Sequence, residues 1–179
     1  MTQLNNKAIF WDRDGVLNHV VALRQDGQQN VSPLKYQDFN LFEGVAEVLA
    51  KTKVLGFLNI IITNQPDIAR NKMEWEELNQ MHDFLKIHIP TINAIYVCPH
   101  DNKDNCNCRK PKIGLVLDAV KDYGINLEES YLVGDSQKDI DCAMNAGIKS
   151  ILVKTKYNIE VTGFDFQVES LGQIPKYLS

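Results

Sequence analysis

Two aspartates stand one residue apart in the run Trp11-Asp12-Arg13-Asp14-Gly15-Val16-Leu17-Asn18, directly after the apolar Ala8-Ile9-Phe10. Residues i and i+2 of an extended strand share a face. Asp12 and Asp14 can therefore both reach one point at the strand's C-terminal edge. Gly15 lets the chain turn there without a Cβ penalty. That edge is where open α/β sheets place their ligands. Two converging carboxylates suit a hard cation and a phosphate. The run is not an EF-hand loop, because Gly15 comes too early and the later ligands are missing.

A second group has the form C-x-H-x5-C-x-C: Cys98-Pro99-His100, then Cys106-Asn107-Cys108. Three of the four cysteines fall in this short stretch, a clustering that favours a metal over disulfides. Three thiolates and an imidazole make a closed tetrahedral zinc site, structural because no position stays open. The alternative is a set of free buried thiols. Zinc bound by Cys98, His100, Cys106 and Cys108 would stiffen the loop and position Arg109 and Lys110 immediately after it. Cys142 stands apart in a helical pattern and reads as a small core residue.

These residues need a frame. Short apolar runs at 8–11, 58–62, 95–97, 131–133 and 150–153 read as strands. The second is β-branched and fits a strand buried on both faces. Helical periodicity lies between them: Val45 to Leu55 before Gly56, Trp75 to Leu85, Leu115 to Tyr123 before Gly124, and Ile140 to Ala146 before Gly147. Glycine just past a periodic stretch is a helix stop. Strands alternating with helices predict an α/β fold, Rossmann-like and doubly wound, with a mainly parallel sheet and helices on both faces. Residues 18–42 and 98–112 read as long loops, functional or disordered. A chain of 179 residues predicts one domain, 1–179, with the zinc loop 98–108 inserted and no room for a large cap.

Four segments then fall at successive strand ends: Asp12-x-Asp14, Thr63-Asn64-Gln65, Arg109-Lys110-Pro111 and Gly134-Asp135-Ser136-Gln137-Lys138-Asp139. Each alone is more often a turn or a helix cap. In a parallel sheet, however, these ends face the same way, so the segments can meet in one crevice. In this order the chain resembles a haloacid-dehalogenase (HAD) superfamily phosphatase, subfamily IIIA, over roughly residues 7–153.

The resemblance implies roles. Asp12 would be the nucleophile that forms an aspartyl-phosphate. Asp14 would protonate the leaving oxygen and then activate water. Thr63 would hydrogen-bond a phosphoryl oxygen, and Lys110 would neutralise the phosphoryl group and the nucleophile. Asp135 would bind Mg²⁺ together with the Asp12 carboxylate and the Asp14 backbone carbonyl. Asp139 would be a further Mg²⁺ ligand, or would orient Lys110 or a metal-bound water.

The zinc loop narrows the resemblance to the group that holds heptose-bisphosphate and histidinol-phosphate phosphatases, in which loops select the substrate. Arg109 and Asn64 would be substrate contacts. The stretch Thr63-Asn64-Gln65-Pro66-Asp67-Ile68-Ala69-Arg70 is similar to the heptose group, except that Asp67 replaces a usual glycine. The x5 zinc spacing and Arg109-Lys110-Pro111-Lys112 are closer to the histidinol group. Asp67 would repel a second phosphate, favour a cationic substrate, or cap the next helix. Heptose bisphosphate is the first choice and histidinol phosphate the alternative. An idle, zinc-stapled phosphate-ligand sensor is the rival from another class, although a sensor has no need of Asp14.

The remaining features are set aside. His19, His82 and His88 lack spaced partners and read as surface or satisfied residues. Trp11 packs beside the nucleophile, Trp75 fits the core face of its helix, and Glu74, Glu76 and Glu77 form a solvated first turn. No G-x-x-x-x-G-K-[ST] or G-x-G-x-x-G run supports nucleotide binding. A net charge of −4 predicts no general field for nucleic acid or anionic membranes. The apolar runs are too short to span a bilayer, and the first residues lack a signal-peptide stretch. The expected partner is a small phosphorylated metabolite, and the expected state is a cytoplasmic monomer.

Overall fold

The computed structural model describes residues 5–178. Six parallel strands form one sheet: β1 (Lys7–Trp11), β4 (Phe57–Asn64), β5 (Ile92–Cys98), β6 (Tyr131–Gly134), β7 (Lys149–Val153) and β8 (Phe166–Val168). Their order is β5-β4-β1-β6-β7-β8. The chain runs outward from β1 through β4 to β5, then returns past β1 to lay down β6, β7 and β8. The winding therefore reverses beside β1, and the reversal opens a crevice at the C-terminal ends of β1 and β6. Asp12 follows the first of these strands and Asp135 the second.

Both sheet faces are covered, which explains why β1 and β4 read as almost unbroken apolar runs. On one face Ile9 and Trp11 pack with α1 (Val45–Val54), α2 (Trp75–His88) and the C-terminal 3-10 segment Leu171–Tyr177. On the other face Ala8 and Phe10 pack with α3 (Gly114–Tyr123) and α4 (Gln137–Ala146). Trp11 packs as expected and also donates from Nε1 to Asn59 Oδ1 at 3.0 Å. Asn59 is buried and donates in turn to the Leu49 carbonyl, which ties β1, β4 and α1 together. Helices α3 and α4 end at Gly124 and Gly147, as predicted. Cys142 is a buried core residue.

Several expectations are corrected. Residues 18–42 are not wholly irregular: β2 (Val21–Leu23) and β3 (Gln29–Val31) form an antiparallel hairpin. Strands of three residues are too short for periodicity to register, which also hid β8. Trp75 is not on the core face but is 48% exposed. The buried stripe of its helix is Leu78, Met81, His82 and Leu85; periodicity assigns a face but not where the covering layer ends. Glu77 is not simply solvated, for its carboxylate accepts from the Tyr36 N–H at 2.7 Å and pairs with Lys35. Among the described residues no larger insertion stands over the crevice, and no helix is long and apolar enough to cross a membrane.

Candidate active site

Asp12 is the first residue beyond β1, and its N–H donates to the Val133 carbonyl of β6. The Asp12 carboxylate meets Lys110, which arrives from the far end of the loop after β5. Lys110 Nζ lies 2.8 Å from Asp12 Oδ1, 2.6 Å from Asp139 Oδ1 and 3.0 Å from the Ile62 carbonyl. An ammonium has three donors, and all three are engaged. Burial disfavours the Lys110 charge, but the two carboxylates outweigh it and hold the amine well above the usual lysine range.

The acids are less well compensated. Burial, aided by the charge of Asp139, lifts the Asp12 carboxyl to about 7 against the pull of Lys110. Burial and the charges of Asp12 and Asp139 lift Asp135 to about 8. Asp139 is fully buried and its partners are near: Oδ1 takes Lys110, and Oδ2 accepts from the N–H and hydroxyl of Ser136, capping α4. Gly15 sits at φ +88°, and a Cβ there would overlap the Asp135 carboxylate. A side chain at this position would displace the acid, so the glycine is required by close approach.

Asp14 has a different environment. Burial disfavours its charge, but Arg13 and hydrogen bonds from Asn18 and Gln65 win, so its carboxyl lies below the usual range. Arg13 Nη2 reaches both carboxylate oxygens at 2.9 Å, Asn18 Nδ2 donates at 2.9 Å and Gln65 Nε2 at 2.7 Å. Gln65 also donates to the Thr63 hydroxyl at 2.8 Å. Thr63 is therefore buried close to the acids, at the end of β4.

Asn64 stands in the wall of the cavity over these acids and has a second partner there. Its side-chain amide pairs with the backbone of Lys110, donating to the carbonyl at 3.1 Å and accepting from the N–H at 3.0 Å. The complementary amide and peptide groups make Asn64 a clamp on Lys110. Arg109 donates to Asn102 Oδ1 and to the His100 carbonyl, so the cysteine-rich loop holds its guanidinium at the rim. A cavity of about 350 Å³ opens over Asp12, Asp14, Lys110 and Asp135, with Arg70 and Arg109 in its wall and Asn30 and Ser32 of the hairpin region opposite.

Asp67 does not cap the next helix, whose N-cap is Glu74, and its charge is paired within the protein. It is buried and receives Arg24 Nη1 at 2.7 Å, with Arg70 at 3.5 Å. Arg70 continues to Asp101 beside His100. These ion pairs tie the β2–β3 hairpin, the loop after β4 and the cysteine-rich loop into one rim. Arg13, Asn18, Gln65, Arg24 and Ser136 were not singled out by motif reasoning. Arg13, Asn18, Gln65 and Ser136 lie inside the motif segments, but only packing assigns their partners.

A HAD-hydrolase-like family model matches residues 107–158. The D-glycero-β-D-manno-heptose-1,7-bisphosphate 7-phosphatase of Helicobacter pylori strain J99 is 33% identical over 174 residues, covering 94% of this chain and 95% of that protein. The chain belongs to the HAD-type phosphatases. The enzyme of the same name from Haemophilus ducreyi is 32% identical, over 98% of this chain and 100% of its own length. The crystal structure of D,D-heptose 1,7-bisphosphate phosphatase from B. bronchiseptica, complexed with magnesium and phosphate, superposes with a TM-score of 0.81 at 27% identity. It covers 96% of this chain and 97% of that one.

The donor sets of this HAD-type phosphatase fit two different metals. Asp12, Asp135 and Asp139 each offer a carboxylate oxygen within 4.8 Å of the others. The three acids offer an all-oxygen donor set, which suits Mg²⁺. Cys98, His100, Cys106 and Cys108 also converge within 4.8 Å. Their ligand atoms lie 3.3 to 3.8 Å apart along the contacting edges. A tetrahedron with Zn–S bonds of about 2.3 Å has edges of about 3.8 Å, so the cluster is compatible with zinc.

Proposed function

We propose that this chain is a Mg²⁺-dependent phosphomonoesterase that removes the 7-phosphate of D-glycero-D-manno-heptose 1,7-bisphosphate through an aspartyl-phosphate, and that residues 1–179 act as one phosphatase domain. The observation that carries the reading is Lys110 held against Asp12 at the switch point of the sheet. In the first step an Asp12 oxygen attacks phosphorus, the bond to the sugar oxygen breaks, and Asp14 gives that oxygen a proton. In the second, Asp14 takes a proton from water, which attacks the same phosphorus and frees phosphate and Asp12. Lys110 and Thr63 hold the phosphoryl oxygens.

Mg²⁺ bound by Asp12, Asp135 and the Asp14 carbonyl, with Asp139 as the further acid nearby, supplies countercharge to the phosphate when it is present. Arg13, Asn18 and Gln65 keep Asp14 ionised in the free protein. That is the form required to activate water. A phosphate dianion brought beside Asp14 raises its proton affinity for the first step. Cys98, His100, Cys106 and Cys108 would hold zinc, which would brace the loop that presents Arg109 and Lys110.

The substrate reading has two supports. The relatives carry the heptose-bisphosphate name. Arg24 and Arg70 neutralise Asp67, so that residue offers no anchor for a cationic substrate such as histidinol phosphate, while Arg109, which donates to the neutral Asn102 side chain and His100 carbonyl in the cavity wall, offers positive charge to a second phosphate. Phosphate release from heptose 1,7-bisphosphate and L-histidinol phosphate, measured side by side with and without Mg²⁺, tests this. Preference for the heptose, Mg²⁺ dependence and retention of the 1-phosphate are expected. Preference for histidinol phosphate overturns the substrate assignment, and no release from any phosphomonoester restores the sensor.

A further inference from the structure

We propose that His82 is a positioning residue for the acid–base aspartate, its Nε2 lone pair fixing the Arg13 guanidinium in the orientation that grips Asp14. The proposal rests on the reading of Asp14 as proton donor and extends it to a helix that carries none of the motifs.

Arg13 is fully buried, so its five N–H donors need partners within the protein. Nε and Nη2 go to Asp14, at 3.2 Å and 2.9 Å. Nη1 lies 3.1 Å from Nε2 of His82, which faces inward from α2. A guanidinium does not give up a proton, so Nη1 donates and Nε2 accepts. This fixes His82 as the neutral, Nδ1-protonated tautomer. Burial, followed by the charge of Arg13, agrees by pushing the imidazolium down to about 3. The Phe39 ring lies 5.5 Å from the Arg13 Cζ and confines the guanidinium from another side.

The geometry thus forms a relay of orientation, from His82 to Arg13 to Asp14. If the acceptor is lost, a buried charged donor is left without a partner. The guanidinium then turns to find one, and Asp14 loses the two-oxygen grip that sets its plane. Asn18 and Gln65 still hold Asp14, so it keeps its place but loses its orientation. The cost falls on proton delivery. A sugar alkoxide leaves only with a proton, whereas p-nitrophenolate leaves without one.

The test compares kcat/KM, which reports steps up to aspartyl-phosphate formation, for p-nitrophenyl phosphate and for whichever of the two alkyl phosphates above is turned over faster. His82→Met keeps the volume and removes the acceptor; His82→Gln restores an acceptor. For His82→Met a loss of about ten- to a hundred-fold is expected on the alkyl phosphate, with less than about twofold on p-nitrophenyl phosphate and recovery in His82→Gln. Equal losses on both substrates, or none, overturn the proposal. Asp14→Asn is run beside them. If it discriminates between the substrates and His82→Met does not, only the positioning role falls; if Asp14→Asn does not discriminate, the reading of Asp14 falls and takes the relay with it. Nitrogen NMR of the wild-type imidazole is independent of any variant's folding. Protonated Nδ1 with bare Nε2 is expected, and a protonated Nε2 refutes the contact.

Discussion

Lys110 Nζ lies 2.8 Å from Asp12 Oδ1 and donates its other two hydrogen bonds to Asp139 and the Ile62 carbonyl. The lysine therefore has two jobs that a single substitution separates poorly. It faces the proposed nucleophile, and it compensates two carboxylates. In Lys110→Met both carboxyl groups lose their countercharge. Breaking a buried pair from one side costs about 3–5 kcal/mol. A lower melting temperature is expected, together with a fall in kcat/KM of at least about 10²-fold. Residual activity near wild type removes Lys110 from the phosphate site.

Asp12→Asn should have the opposite balance. It removes one of three crowded acids, so the fold is retained, yet it removes the group proposed to attack phosphorus. No phosphate release is expected in an end-point assay, alongside a wild-type circular dichroism spectrum. Turnover by this variant would exclude Asp12 as nucleophile.

The same crowding predicts a pH dependence for zinc-loaded, magnesium-free protein. Asp12 and Asp135 have folded-state values of about 7 and about 8, above their unfolded value of 3.8. Groups raised on folding contribute stability that is complete below the unfolded value and is lost as pH rises through the folded one. Thermal melts between pH 5 and pH 9 should therefore fall with rising pH, and Mg²⁺ should restore the alkaline side. A flat profile without Mg²⁺ would show that the acids are compensated by the protein alone.

Removal of zinc should act through geometry. The four-residue cluster closes the loop that carries Arg109, whose partners Asn102 and His100 lie in that loop. Metal analysis should return one zinc per chain. Chelation should lower both the melting temperature and kcat/KM even with Mg²⁺ in excess, and zinc added back should recover both. Full activity of the zinc-free, Mg²⁺-loaded protein would uncouple the loop from the site.

Arg24 and Asp67 form a nearly dry ion pair at 2.7 Å between the β2–β3 hairpin and the loop after β4. Arg24→Ala leaves Asp67 buried with only Arg70 at 3.5 Å. Faster amide exchange across residues 21–31 is expected, with a rise in KM larger than any change in kcat, because the hairpin lines the cavity rather than the reacting atoms. An unchanged exchange pattern would mean that the hairpin is held by other contacts.

Much of this site was legible because its signals are local. The strand ends at Asp12, Thr63 and Asp135 follow short apolar runs, and glycines stop α3 and α4. The C-x-H-x5-C-x-C spacing depends only on a few residues of one loop. The ordered motifs carried the family and the reaction class, since a parallel sheet leaves its strand ends on one edge.

What lay beyond reach depends on partners distant along the chain. The amide of Asn64 gives no local sign that it also clamps the backbone of Lys110, 46 positions later. The charge of Asp67 is free in the sequence and neutralised in the fold by an arginine 43 positions earlier. His82 lacks any spaced partner, yet meets Arg13 across 69 positions. Trp75 has the right helical phase and no covering layer. The sequence by itself determined the elements, the chemistry of the motifs and the edge on which they gather, because periodicity and turn residues act over a few positions. Only the tertiary structure decided which charges are compensated and which polar groups are taken, because burial and pairing arise when distant segments pack and exclude water.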